Sequence, residues 1–239
     1  MAIKGVTARG PGTRVKQKGH KTRKVTHTGR HNQCQCDAKC SQPSLKGSAF
    51  CSIHQSCRTG SPLSYYEPNY EPKRWNQRKY KLSHNCFSYG MNVIDPKQVA
   101  KCEGECNIPF HQPGIASGHN GFSDKPKTCS NMITRIIGDN PVIKMARFQD
   151  KCPAGSSKVA FVADENQDYH FLRQDSNGYW SHKPGARDVT NKDASDRPIW
   201  NPGLADFDYT MHNSELNYDI LCGYLCVPRN KKLHLKASS

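Results

Sequence analysis

Residues 168–182 read DYHFLRQDSNGYWSH and contain two strand patterns around a turn. The first pattern, Asp168 to Gln174, is rich in aromatic and apolar residues, and the second covers residues 178–182. Between them, Asp175 to Gly178 supply the residue types that tight turns prefer. Strands joined by so short a turn pair in the antiparallel sense. The stretch therefore predicts a β-hairpin.

The flanking sequence extends this hairpin into an antiparallel sheet with helices. Residues 158–163 and 219–227 are further strand candidates, and the first of them precedes the hairpin, which predicts a meander. Ser83 can cap a helix that begins near Asn85 or Cys86. A second helix, ending before Pro141, is predicted by apolar residues at helical spacing: Cys129, Met132, Ile133 and Ile136. Residues 80–227 are thus predicted to form an α+β domain.

The positive charge lies mostly outside this domain. The chain has 239 residues and a formal net charge of +15, and thirteen of these charges fall in residues 1–33 and 228–239. Both stretches lack acidic residues, and the first is predicted to be a basic arm that is disordered or is ordered by an assembly. Such an arm can bind nucleic acid or an acidic protein surface, or it can simply keep the protein soluble.

The composition also limits where the protein is expected to work. The mean hydropathy is −0.83, and no apolar run approaches the roughly 20 residues that a membrane span needs. The N-terminus has no apolar stretch typical of a secretory signal. We therefore expect an intracellular or virion protein without a transmembrane segment. In such a protein, twelve cysteines favour metal binding or catalysis over a disulfide framework.

Residues 34–60 contain a candidate metal site, and residues 61–79 form an extended linker rich in Pro and Tyr. The spacing Cys36-x3-Cys40-x10-Cys51-x2-His54 offers three thiolates and an imidazole as two chelating pairs. Tetrahedral structural zinc sites are assembled in this way, so we predict a zinc-knuckle-like segment. Cys34 and Cys57 flank the set and could replace one of its ligands, and free or disulfide-bonded cysteines are the alternative.

The body contains a second candidate site, built on Cys86. This residue stands at a predicted helix start, where the helix dipole and free N–H groups lower a thiol pKa. His170 and His182 lie on predicted strands, and a thiol nucleophile needs an imidazole that a polar group orients. The alternative is a buried cysteine without catalytic function.

The order of a Cys-bearing helix, a His-bearing strand and a further polar residue resembles the papain-like superfamily, particularly NlpC-type and CHAP-type amidases. The resemblance implies a papain-like body with Cys86 as nucleophile. In that superfamily the histidine opens a central strand, which favours His170 over His182 as the base. Asp188 or His182 would then be the orienting group.

Four longer blocks resemble a virion-associated protein of giant double-stranded DNA viruses of algae and amoebae. They are SPLSYYEPNYEP (61–72), SHNCFSY (83–89), DYHFLRQDSNGYWSHKPG (168–185) and CGYLCVPR (222–229). The resemblance implies a virion context, with assembly inside the host cell. The favoured hypothesis is a minor capsid or cement protein whose basic tails contact other capsid proteins or, through the N-terminal arm, nucleic acid. The second hypothesis is a virion-borne cysteine amidase or peptidase.

Overall fold

A computed structural model describes residues 32–102, 106–122 and 126–238, so almost all of the predicted basic arm, residues 1–33, lies outside the described part. Within it, one five-stranded sheet has the strand order β1-β5-β2-β3-β4, and every pairing is antiparallel. The α+β prediction is confirmed. The strands are β1 (Lys144–Ala146), β2 (Ser156–Asp164), β3 (Asp168–Gln174), β4 (Trp180–His182) and β5 (Ile220–Pro228).

The described helices are short, and most of them precede the sheet in the chain. They are α1 (Pro72–Trp75), α2 (Arg78–Lys81), α3 (Cys86–Met91), α4 (Pro96–Lys101) and α5 (Cys129–Asp139), with 3-10 turns at Ser52–His54 and Thr210–His212. The linker is therefore not extended throughout, because Pro72 occupies the first turn of α1, where proline is tolerated. No described helix is long and apolar enough to cross a membrane.

The two predicted helices, α3 and α5, are confirmed, but the capping residue of α3 differs from the prediction. Helix α3 begins at Cys86, and its cap is Asn85, whose side chain accepts a hydrogen bond from the Ser88 backbone N–H. The Ser83 hydroxyl instead donates to the Lys79 carbonyl oxygen. Helix α5 is capped by Thr128, whose side chain accepts from the Asn131 backbone. Each cap satisfies a donor that a helix start leaves without a partner.

The predicted meander is present as β2, β3 and β4. Phe161 pairs with Phe171, and Leu172 pairs with His182, so the three strands lie side by side. In the β3–β4 turn, the Asp175 N–H donates to the Tyr179 carbonyl oxygen at 2.8 Å. Gly178 has a φ of 87° in this turn, a conformation that side chains disfavour.

The sheet separates two apolar layers. On one face, Phe161 and Phe171 pack against α3 and α5 together with Met132. On the other face, Val162 and Trp180 pack against the irregular segment that connects β4 to β5. Because successive strand residues point to opposite faces, neighbours such as Phe161 and Val162 contribute to different layers. The strand ends near Asp168 lie where the two layers meet the surface.

Four disulfides cross-link the described residues, so the expectation that the cysteines avoid a disulfide framework is wrong for eight of them. Two bridges attach strand β5 to earlier parts of the chain, and the other two close shorter loops. The pairs are Cys36–Cys57, Cys102–Cys106, Cys129–Cys222 and Cys152–Cys226.

The C-terminal residues pack on the body. Strand β5 runs to Pro228, and beyond it Leu233 is buried in the helix-side layer. Asn140 and the His234 backbone exchange two hydrogen bonds of 2.7 and 3.0 Å, and Ala237 forms a β-bridge with His111. The stretch predicted as a separate basic tail is therefore part of the folded body as far as residue 238.

Candidate metal centre and candidate active site

Three thiols and one imidazole converge in the N-terminal segment, which we define as residues 32–60. The ligand atoms of Cys34, Cys40, Cys51 and His54 all lie within 4.8 Å of one another. The Cys34 and Cys51 sulfurs are each 3.4 Å from His54 Nδ1, and the Cys40 and Cys51 sulfurs are 3.8 Å apart. This group could hold a metal ion.

The structure brings together three of the four predicted ligands, Cys40, Cys51 and His54. The fourth position belongs to Cys34, because Cys36 is bonded to Cys57. Cys34 is fully buried, whereas Cys36 lies nearer the surface. The sequence could not rank them, since both precede the same chelating pair at similar spacing.

Local backbone contacts position these ligands and lower the pKa of one thiol. A turn of 3-10 helix at Ser52–His54 follows Cys51 and brings its thiol to the His54 ring. The Cys51 backbone N–H donates to the Cys34 sulfur at 3.4 Å. Although burial raises the pKa of the Cys51 thiol, hydrogen bonds from the Ile53 backbone and the Cys34 side chain lower it to about 7. The thiolate form that a metal requires is thus favoured here.

The segment is fastened to the loop that precedes β5. The Gln35 side-chain oxygen accepts a hydrogen bond of 2.7 Å from the Trp200 backbone N–H, and its amide nitrogen donates to the Pro198 carbonyl oxygen. Arg197 donates to the Gln33 carbonyl oxygen at 2.6 Å. Because Gln35 lies beside Cys34, these bonds hold the metal-ligand cluster against the body.

Cys86 opens helix α3 and is buried at 6% exposure. Its sulfur is 3.9 Å from the Tyr169 carbonyl oxygen, to which the thiol donates. Burial and the nearby Asp168 carboxyl raise the pKa of the Cys86 thiol to about 12, while Lys183 acts in the opposite direction. In this arrangement Cys86 is a neutral thiol at physiological pH, so the expected lowering by the helix start does not prevail.

His170 and His182 form a buried pair on strands β3 and β4. His182 Nε2 lies 2.9 Å from the Lys192 carbonyl oxygen, which can only accept, so this nitrogen carries the proton. His182 Nδ1 then accepts from His170 Nε2 at 2.8 Å, which leaves His170 Nδ1 without a proton. Burial lowers the pKa of His182 to about 4, and burial together with the neighbouring His182 lowers the pKa of His170 well below its usual value. His170 is therefore neutral, with one nitrogen able to accept a proton.

Cys86 and His170 line the same cavity, whose volume is about 660 Å³. Its wall also includes the loop that follows β4, from Pro184 to Arg187, and Gln112. The Tyr218 hydroxyl donates to Asp168 at 3.0 Å on this wall. The cavity thus combines a thiol and a neutral imidazole with a mixed apolar and polar lining, and its volume is in the range of small-molecule sites.

No hydrogen bond joins Cys86 to His170 among the described residues. Strand alternation explains this, because Tyr169 and Phe171 face the helix layer that contains Cys86. His170 lies between them in sequence and contacts His182 and Tyr218, which belong to the opposite side. Cys86 and His170 therefore share a wall of the cavity without a hydrogen bond between them.

Asp188 does not orient the imidazole. Its carboxylate is 60% exposed and pairs with Lys81 at 3.0 Å. Of the two orienting groups that the sequence left open, the structure places His182 beside His170.

Comparison with known proteins adds one relative. The chain is 32% identical over 138 residues to insoluble matrix shell protein 1 of Ruditapes philippinarum, and the match covers 57% of this chain and 80% of that protein. The chain belongs to the same family as this shell matrix protein. Residues 1–79 are too few for a match of 138 residues, so the relation to the shell matrix family includes part of the α+β body. No protein-family model and no solved structure matches the chain.

Proposed function

We propose that this protein is a structural component of a larger protein assembly. The family relation to a protein named as an insoluble shell matrix protein carries the proposal. The cross-linked body supports it, because two disulfides fasten strand β5 to distant parts of the chain. Such a protein keeps its shape without a ligand and can serve as a building unit.

Within this proposal, an assembly in oxidising surroundings is favoured over one in the cytosol. Disulfides form and persist outside the reducing cytosol, and four are present here. A minor capsid or cement protein of a giant virus is the other form of the same proposal. It stays a prediction, because neither the fold nor the family relation bears on a viral origin.

Fractionation of the source material tests the structural proposal. We expect the protein to remain in the residue after extraction with high salt and to enter solution only in guanidinium, at a fixed ratio to the other proteins of that residue. Full extraction in salt as a monomer would contradict the proposal. A separate experiment tests whether the basic arm drives assembly. Sedimentation compares the full recombinant chain with a form that lacks residues 1–31.

We assign zinc to the metal centre, as a structural ion. Tetrahedral zinc with Zn–S bonds of about 2.3 Å and Zn–N bonds of about 2.0 Å places sulfurs about 3.8 Å apart and sulfur about 3.5 Å from nitrogen. The separations of 3.8 Å between Cys40 and Cys51 and 3.4 Å from Cys51 to His54 Nδ1 fit these values. Four protein ligands leave no open position, so the ion would stabilise the fold of the segment and would not act on a substrate.

A second candidate function is thiol-dependent cleavage of amides, on a papain-like body. The shared cavity and the unprotonated His170 Nδ1 favour it. In this reaction the Cys86 sulfur attacks the amide carbonyl carbon and His170 takes the thiol proton. The amine leaves with that proton, and water then cleaves the thioester to release the acid and restore the thiol. Because Cys86 and His170 are not bonded, the substrate would have to bring them together.

An amide-based covalent probe tests this second function. We expect labelling at Cys86 that is lost in Cys86→Ala and falls at least tenfold in His170→Ala and His182→Ala. Asp196→Asn is the matched control and should label normally, since Asp196 lies in an exposed ion pair with Lys192 and does not line the cavity. Labelling that is equal in the wild type and in His170→Ala would rule out a catalytic pair.

A further inference from the structure

Two lysines of the body, Lys158 and Lys183, have no exposed surface. An ammonium group has three N–H donors, and each of these two has three oxygen partners. The Lys158 ammonium donates to the Ser61 hydroxyl, the Phe148 carbonyl and the Asp150 carbonyl. These partners join the linker and the loop after β1 to strand β2, away from the cavity.

The partners of Lys183 lie around Cys86 instead. Its Nζ donates to the Lys81 and His84 carbonyl oxygens, both at 2.7 Å, and to the Gly185 carbonyl oxygen. His84 stands two residues before Cys86, and Gly185 belongs to the cavity wall. Lys183 itself directly follows His182 at the end of β4. One side chain therefore connects the cysteine segment, the histidine strand and the wall of the cavity.

We propose that Lys183 is a positioning residue for the Cys86 thiol, which holds the segment leading into Cys86 against the histidine-bearing strand and favours the thiolate through its charge. This inference rests on the second candidate function, thiol-dependent cleavage. It assigns Lys183 no contact with a substrate.

The hydrogen bonds require the charged form of Lys183. A neutral amine has two N–H donors, so one of the three buried carbonyls would lose its partner, which is costly. Burial lowers the pKa of Lys183 to about 7, Cys86 and Asp188 raise it, and Lys81 lowers it. The charge of Lys183 also helps to lower the pKa of His84. Ionisation of the Cys86 thiol therefore favours the ammonium form of Lys183, and the reverse also holds.

The pH dependence of Cys86 alkylation tests the proposal. Full-length wild type and Lys183→Met are treated with iodoacetamide between pH 6 and 10, and the Cys86 peptide is quantified by mass spectrometry. Because the pKa of the Cys86 thiol is about 12, the rate should rise with pH throughout this range, and we expect it to be roughly tenfold lower in Lys183→Met between pH 6 and 7, where Lys183 is charged. Lys183→Arg keeps the charge and should recover most of the rate.

Lys158→Met is the matched control, because it removes an equally buried lysine with three oxygen partners. It should lower the thermal midpoint as Lys183→Met does, but leave the Cys86 profile unchanged. Near-UV circular dichroism confirms that each variant is folded. An unchanged profile in folded Lys183→Met, an equal shift in Lys158→Met, or an Arg variant as slow as the Met variant would each overturn the proposal. If Lys183→Met is unfolded, Lys183→Arg and the wild type still test the proposal. A folded Lys183→Arg with a tenfold lower rate overturns the role of the charge, and a rate close to that of the wild type supports it.

The outcome separates this inference from the function on which it rests. If the profile shifts as expected but no amide probe labels Cys86, Lys183 positions a thiol that is not hydrolytic. If probes label Cys86 equally in wild type and Lys183→Met, cleavage stands and the role of Lys183 is refuted.

Discussion

The N-terminal segment and the sheet body contain cysteines in different chemical states. In the segment, three thiols and the His54 imidazole converge beside one disulfide, Cys36–Cys57, and a small apolar cluster of Ala49, Phe50 and Trp200. In the body, two disulfides attach β5 to elements that the apolar layers already hold against it, and a third, Cys102–Cys106, closes a local loop. A cluster of ligands replaces a core in one region, and covalent bonds reinforce a core in the other. Cys86 belongs to neither group.

The largest expected effect is the loss of the metal from the segment. Cys51→Ser should reduce bound zinc from about one equivalent to nearly none, because the folding of small metal segments depends on the ion. Elemental analysis measures the loss, and hydrogen exchange should rise in residues 34–57 while the sheet stays protected. Cys36→Ser with Cys57→Ser is the control and should keep the metal, since Cys34 is the fourth ligand. Metal loss in this control would instead support Cys36.

Loss of a disulfide from the body should have a smaller effect, a decrease in the free energy of unfolding that depends on the length of the closed loop. With Cys152–Cys226 intact, Cys129–Cys222 closes a loop of roughly 30 residues in the unfolded chain, so its removal should lower the free energy of unfolding by about 3.5 kcal/mol. Removal of Cys102–Cys106, with a separation of 4, should cost less, about 2 kcal/mol. Guanidinium unfolding of alanine pairs measures both. Equal losses would mean that the closed loop length does not govern stability here.

Acid should weaken the body through its buried histidines. Burial lowers the pKa of both His84 and His182 to about 4 in the folded state. Between pH 6.5 and pH 4 the unfolded chain therefore binds more protons, so the free energy of unfolding falls as the pH falls. Each histidine should account for about 2–3 kcal/mol over this window. Urea unfolding at several pH values measures the slope, and His84→Gln should reduce it. Equal stability at pH 7 and pH 4 would contradict this assignment.

The sequence predicted the strands, the turn and the helices well, because these elements depend on residues that are close together in the chain. The strand at Asp168–Gln174, the turn after it and the helix from Cys129 follow from residue spacing and turn chemistry. The partners of the cysteines could not be predicted, since a disulfide such as Cys129–Cys222 depends on how β5 enters the sheet. For the same reason, the sequence did not predict which of Cys34 and Cys36 joins the metal-ligand cluster, or that Asp188 lies in a surface ion pair.

The burial of Lys183 is the clearest example of a feature that the local sequence does not predict. The sequence presents a lysine between a strand and Pro184, a pattern typical of a solvent-exposed strand end. Its burial depends on the carbonyl oxygens of Lys81 and His84, in one distant segment, and of the nearby Gly185, and nothing in the local sequence indicates where the first two lie.

The two bridges to β5 determine what a protease can release. Cys129 and Cys152 both precede the long loop between β4 and β5, and Cys222 and Cys226 both follow it. A backbone cut anywhere in this loop therefore leaves two fragments joined by two disulfides. The cut protein would keep its mass in solution and separate only after reduction, so nicking of an exposed loop need not remove this protein from the material around it.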